Sequence, residues 1–193
     1  MRSVPLLCAA LALSFTAYAS DDKRAQKPTD PEIAAIVVTA NQIDIDAGKM
    51  AQQKSTNPQV KEFAQRMVED HTSVNAKATE LAQKLSLTPK ESDTSRSLKK
   101  DAEKTMTRLQ SLEGAAFDKA YVDNEVAYHE AVIGVMNKQL VPGAKNAELK
   151  ALLVQSGPAF KAHLKHAQQL QKTLSGKATG TGGSGEEESK QHH

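Results

Sequence analysis

Asp44, His71, Glu125, His129 and His163 are the residues of this chain whose types can do chemistry from the middle of long segments. Imidazole nitrogens and carboxylate oxygens are ligands for iron, manganese, zinc or copper, and geometry selects among these metals. Their positions are unusual because a helical apolar face should exclude them. On a wheel of about 100° per residue, Asp44 lies about 20° from the centre of the stripe anchored at Ile33. By the same count His71 lies about 40° from Met67 and His163 about 60° from Phe160, within an ordinary apolar face. Glu125 is central on its helix, and His129 falls one turn away, nearer the edge. Asp44, His71, His129 and His163 are therefore the candidate ligands of one transition-metal ion, a way in which facing helices of a bundle build metal sites. The competing reading is a metal-free structural or protein-interaction module of the periplasm, whose buried polar residues only fix helix register.

Other patterns are weaker. A dinuclear carboxylate centre would use a Glu-x-x-His pair on two helices. Here Glu69 precedes His71 by two residues and Glu125 precedes His129 by four, so that motif is missing and a metal-dependent oxidoreductase ranks lowest. His163 and His166 have ligand spacing, but His166 points off the stripe and reads as solvated. Met67 and Met136 fall within one or two turns of the histidines and read as core filling before Cu(I) ligation. Tyr121 and Tyr128 read as core aromatics whose hydroxyls reach the rim. The helical region contains neither a Gly-x-Ser-x-Gly elbow nor a Gly-rich phosphate loop.

The elements that must position these residues are helices. Thr29-Asp30-Pro31-Glu32 opens the first, with a capping residue, Pro at the first helical position and acidic charge at the dipole's positive end. It carries Ile33, Ile36, Val37, Ala47 and Ala51 on one face and runs to about Lys54. Asn57-Pro58 opens the second, with Val60, Phe63, Met67 and Leu81 in one stripe, closed by Thr88-Pro89. Ser92 to Leu112 has a thinner stripe and reads as a short accessory helix. Gly114 breaks the chain before a fourth helix that carries Phe117, Tyr121 and Val132 and ends at Pro142-Gly143. The last carries Leu149, Leu153, Phe160, Ala167 and Leu174, with Pro158 expected to kink or break it near residue 157. Aromatics are only 4% of the chain and no strand-like alternation appears, which leaves an all-α, up-and-down four-helix bundle with one short accessory helix over residues 30–174.

Residues 1–19 read as a secretory signal: Arg2, an apolar run from Leu6 to Phe15, and Ala17-Tyr18-Ala19 ahead of cleavage at Ser20. The run is too short for a membrane span, and Cys8 lies too early for a lipoprotein site, so no transmembrane anchor is expected after cleavage. Cys8, the sole cysteine, would leave with the signal, removing any disulfide or thiolate ligand. Residues 20–29 read as a flexible lead-in and 175–193 as a disordered Gly-rich acidic tail. The balance of 25 Lys and Arg against 23 Asp and Glu argues against a nucleic-acid binder. Nothing in the sequence specifies a protein partner.

Several segments carry a family resemblance: Gly48-Lys49-Met50-Ala51, Phe63-Ala64-Gln65-Arg66-Met67-Val68-x-Asp70-His71-Thr72, Phe117-Asp118-x-x-Tyr121 with His129, and Pro158-x-x-x-x-His163-Leu164. In this order they resemble domain-of-unknown-function family 4142, exported bacterial proteins assigned a ferritin-like helical fold. The resemblance covers about residues 30–174. It implies export, a ferritin-like bundle, and membership of Asp44, His71, His129 and His163 in a recurring polar set. Asp44 stands where the family pattern has Glu, and Tyr128 where it often has Asp. The expectation is a periplasmic or secreted, non-catalytic protein that holds a metal in sequestration or envelope stress protection.

Overall fold

The computed structural model describes residues 27–179, with side chains to Gly176. The expected signal segment 1–19, most of the expected lead-in and the tail from residue 180 lie outside the described residues. Long helices dominate: α1 (Asp30–Lys54), α2 (Pro58–Lys84), α3 (Asp93–Gln110), α4 (Gly114–Val135), a π-helical turn (Met136–Leu140), the short α5 (Val141–Gly143) and α6 (Ala147–Thr179). Among the described residues there is no strand, and no helix is long and apolar enough to cross a membrane.

Local signals set the helix ends. The Glu32 carboxylate accepts from the Thr29 N–H at 2.9 Å and from its hydroxyl at 2.7 Å, which starts α1 and holds that acid below its ordinary pKa. Asp30 reaches across the fold, accepting from the backbone N–H groups of Lys145 (2.8 Å) and Asn146 (3.0 Å). Asn57 caps α2 by accepting from Gln59 N–H at 3.0 Å. α2 stops at Lys84, before the Thr88-Pro89 boundary, because Ser86 turns into the left-handed region (φ 52°) and Leu87 N–H bonds back to the Ala82 carbonyl at 2.8 Å. Gly114 enters α4 at φ +55°, a conformation that favours glycine.

Pro158 does not break α6, which is continuous through it and extends past Leu174 to Thr179. The carbonyl deprived of a partner belongs to Val154, an exposed residue, where water can satisfy it. The kink-or-break expectation is therefore corrected as far as a break is concerned.

α1 packs most closely with α2 and α4 with α6; α2–α6 and α1–α4 contacts close the square, and α3 lies against α1 and α4. The apolar core is in two parts. One gathers Ala51, Val60, Phe63, Phe117, Val122 and Leu170. The other gathers Ile33, Ile36, Ala78, Leu140, Leu149 and Leu153. Every long helix runs from one part to the other, in alternating direction, and passes a buried polar residue on the way. Gly48 lets α1 approach α2: a Cβ there would lie 2.9 Å from Val68 Cγ2 and 3.0 Å from the Ala64 carbonyl oxygen.

Candidate metal centre

Between the two apolar clusters lies a polar layer with one or two residues from each long helix: Asp44 on α1, His71 on α2, Glu125 and His129 on α4, His163 on α6. All five are buried. Antiparallel packing puts the centre of each helix at one level, so the four candidates meet instead of spreading along the bundle. His129 is 1% exposed and central, not near an edge, and Glu125 is 0% exposed.

The geometry is close. The His71–His129, His71–His163 and His129–His163 ring centroids are 5.6, 5.3 and 5.5 Å apart. One ring nitrogen from each of these three lies within 4.8 Å of the others, and donor atoms of Asp44, Glu125 and His129 form a second such group. Asp44 Oδ2 is 3.1 Å from His71 Nε2 and 3.5 Å from His129 Nε2. His129 Nδ1 is 3.6 Å from Glu125 Oε2. Two ligands of one ion at transition-metal bond lengths are about 3.0–3.5 Å apart.

Each ring's other nitrogen is held by a neighbour. Asn41 donates through Nδ2 to the Val37 carbonyl at 3.0 Å, which turns its Oδ1 toward His71 Nδ1 at 2.7 Å. The His71 proton therefore sits on Nδ1. His129 Nδ1–H donates to the Glu125 backbone carbonyl at 3.0 Å. His163 Nε2–H donates to Asp70 Oδ2 at 2.8 Å, and Arg66 Nε stands 3.7 Å from that oxygen. Such partners fix tautomer and ring orientation. They leave His71 Nε2, His129 Nε2 and His163 Nδ1 as the lone-pair nitrogens, and these are the ring nitrogens that have no hydrogen-bond partner. Both oxygens of Asp44 and of Glu125 are also buried, and the two carboxyls face each other.

Burial dominates the electrostatics. It pushes the His71 pKa down to about 3, helped by the neighbouring His163, and lowers that of His129. Both rings are neutral at neutral pH, the form that ligates metal. Burial raises Asp44, and burial with the facing Asp44 carboxyl raises Glu125 well above its ordinary value. Two carboxylates in a dry core are unfavourable without a cation. The residues present thus fit a metal ion.

The structure brings together Asp44, His71, His129 and His163, the four inward residues that the sequence pattern singles out. Sequence reasoning saw Glu125 as inward without counting it among the donors, and it missed Asn41 and Asp70 as orienting partners. Asn41 had a signal, one turn before Asp44 on the same face; Asp70 had none, because it pairs across the bundle with His163 instead of beside its own neighbour His71. His166 is half-buried against Phe63, ring centroids 5.1 Å apart, and not freely solvated. Its ring packs at the Phe63 level, away from the polar layer. The Tyr121 hydroxyl does not reach the rim: it is buried without a partner. Tyr128 donates to the Ala40 carbonyl at 2.8 Å.

The profile of a family described as a domain of unknown function, DUF4142, matches residues 16–170. The chain belongs to this family. No curated protein matches the sequence. A solved structure titled "CopM in the Cu(II)-bound form" superposes with a TM-score of 0.60 at 16% identity, covering 76% of this chain and 98% of that one. At that identity the likeness shows a shared helical-bundle fold.

Proposed function

We propose that this protein is an exported helical bundle that holds one divalent transition-metal ion at the level of His71, His129 and His163, with Asp44 as a further donor and Glu125 beside it. The observation that carries this is the 3.1 Å approach of Asp44 Oδ2 to His71 Nε2. Asn41 accepts the His71 ring proton at Nδ1, so Nε2 bears a lone pair beside the buried Asp44 oxygen. Both are atoms that would bind a divalent cation, and the cation would keep Asp44 ionised against the burial that otherwise favours its protonated form. Charge supports a divalent ion: neutral imidazoles add none, and two ionised carboxylates balance two positive charges, which a dry interior favours. Cu(II) is the first metal to test, since the similar structure is a Cu(II)-bound form; zinc, iron and manganese suit the same nitrogen and oxygen donors.

The role that follows is sequestration of a metal outside the cytoplasm. The buried centre has its imidazoles oriented in advance and shields the ion from bulk solvent. When bound, the ion would supply Lewis acidity, while the chain's own residues hold, orient and exclude water.

The test is metal analysis of untagged protein lacking residues 180–193, which removes His192 and His193, after equilibration with each metal. One ion per chain, lost in the His71→Ala, His163→Ala double variant, supports the reading. Wild-type protein that takes up none overturns it. The register-network alternative draws on the His71–Asn41 and His163–Asp70 pairs, which tie helix to helix without metal; it predicts a folded wild type with no stoichiometric ion.

A further inference from the structure

A cavity of about 70 Å³ lies on one side of the polar layer. Its walls come from α1, α2, α3, α4, the π-helical turn and α6, and they are almost wholly hydrocarbon: Ile36, Val74, Leu98, Val132, Leu153 and Phe160 among them. Asp44, His71 and His129 line it, whereas Glu125 and His163 do not. The cavity therefore touches one face of the donor set only. Ala131, exposed, is also on its wall, so the cavity's rim reaches the surface.

Its size and walls select an occupant. An engineered apolar cavity of about 150 Å³ stays dry and accepts benzene or xenon. This one has about half that volume, room for a molecule of a few heavy atoms. Water in it would find few partners beyond the Asn41, Asp44, His71 and His129 face, since the hydroxyls of Ser156 and Tyr128 on the wall already donate to the Leu152 and Ala40 carbonyls. A charged or strongly hydrated ligand would lose its hydration to the same wall. The π-helical turn contributes Met136 and Leu140, and the wide turn keeps these side chains on the cavity wall where the helix changes pitch.

We propose that this cavity is a binding site for small uncharged apolar molecules of the dioxygen class, admitted from the Ala131 side and delivered to the Asp44–His71–His129 face. Binding in the cavity stands on its walls alone; delivery to a metal rests on the reading above.

Methyl NMR of the metal-free protein under dissolved dioxygen tests the site without any ion. The expected result is a larger paramagnetic relaxation enhancement at Ile36 and Leu153, which line the cavity, than at the equally buried Val60, Val122 and Leu170 of the other cluster. Val132→Phe, and independently Val135→Phe, should fill the cavity and abolish the difference while the protein keeps a cooperative melt. Equal enhancement in both clusters overturns the proposal, as does an enhancement that survives in whichever filled variant folds. Failure of metal binding in the preceding experiment leaves this outcome unaffected.

Discussion

A His71 ring nitrogen and an Asp44 carboxyl oxygen 3.1 Å apart in a buried site set the energetics at the centre of this protein. A lone buried donor or acceptor costs about 1–3 kcal/mol, and this layer holds several. Removing His71 by His71→Ala should abolish stoichiometric metal uptake, read by metal analysis after gel filtration. The orienting partners carry their own prediction. Asn41→Leu strips His71 Nδ1 of its acceptor, and Asp70→Asn weakens the hold on His163; each should lower metal affinity by about 10–100-fold in a competition titration while the fold persists. Unchanged affinity in both variants would mean that the rings are oriented by packing alone, for instance by Phe160, whose ring stacks on His71 at 5.3 Å. The ligand types were legible in the sequence because an ionisable residue on an apolar face is conspicuous. Glu125 as a donor neighbour and the His163–Asp70 pair were not, because one needs the facing helix and the other a contact 93 residues apart.

Helices bring these side chains together only if their levels agree. α1 is pinned against α2 by the absence of a side chain at Gly48. Gly48→Ala should destabilise the fold by about 1–3 kcal/mol, because the added methyl meets a backbone carbonyl that cannot rotate away. Urea denaturation measures this, and a neutral result would show that α1 and α2 can separate without loss. Helix identity and order were readable from 3.6-residue periodicity and caps. The ends were less so. Thr88-Pro89 looked like the close of α2, but Ser86 had already turned the chain, and a left-handed serine leaves no pattern in sequence. Pro158 looked like a break in α6, but the carbonyl it orphans lies at an exposed position, so the surrounding packing carries the helix through. The common level of the polar residues was invisible for a related reason: an error of one turn in any helix end moves a side chain by about 5.4 Å along the axis.

For the whole molecule, the buried groups pull stability in opposite directions with pH. His71 keeps a folded pKa of about 3 against an ordinary 6.5, so the unfolded chain takes up the proton first and stability falls as pH drops below about 6.5. His129 adds to that slope. Glu125 has a raised folded pKa against an ordinary 4.5, so its contribution is complete in acid and is lost as pH rises above that value. Asp44 acts in the same sense. The metal-free protein should therefore show a stability plateau between about pH 4.5 and 6.5, with a fall of about 1.4 kcal/mol per pH unit for each titrating group on either side. Denaturation midpoints across pH check this, and a steady rise up to pH 8 would contradict it. Bound metal should remove the alkaline decline by holding the carboxylates ionised. It should also raise the melting temperature by about 5–10 °C when free metal is a hundredfold above Kd. The alternation of helix direction has one more result. Neither apolar cluster is contiguous along the chain: each draws on the first helix and the last. A backbone cut between α2 and α3 therefore yields two peptides with half of each oily interior, and neither can fold until it finds the other.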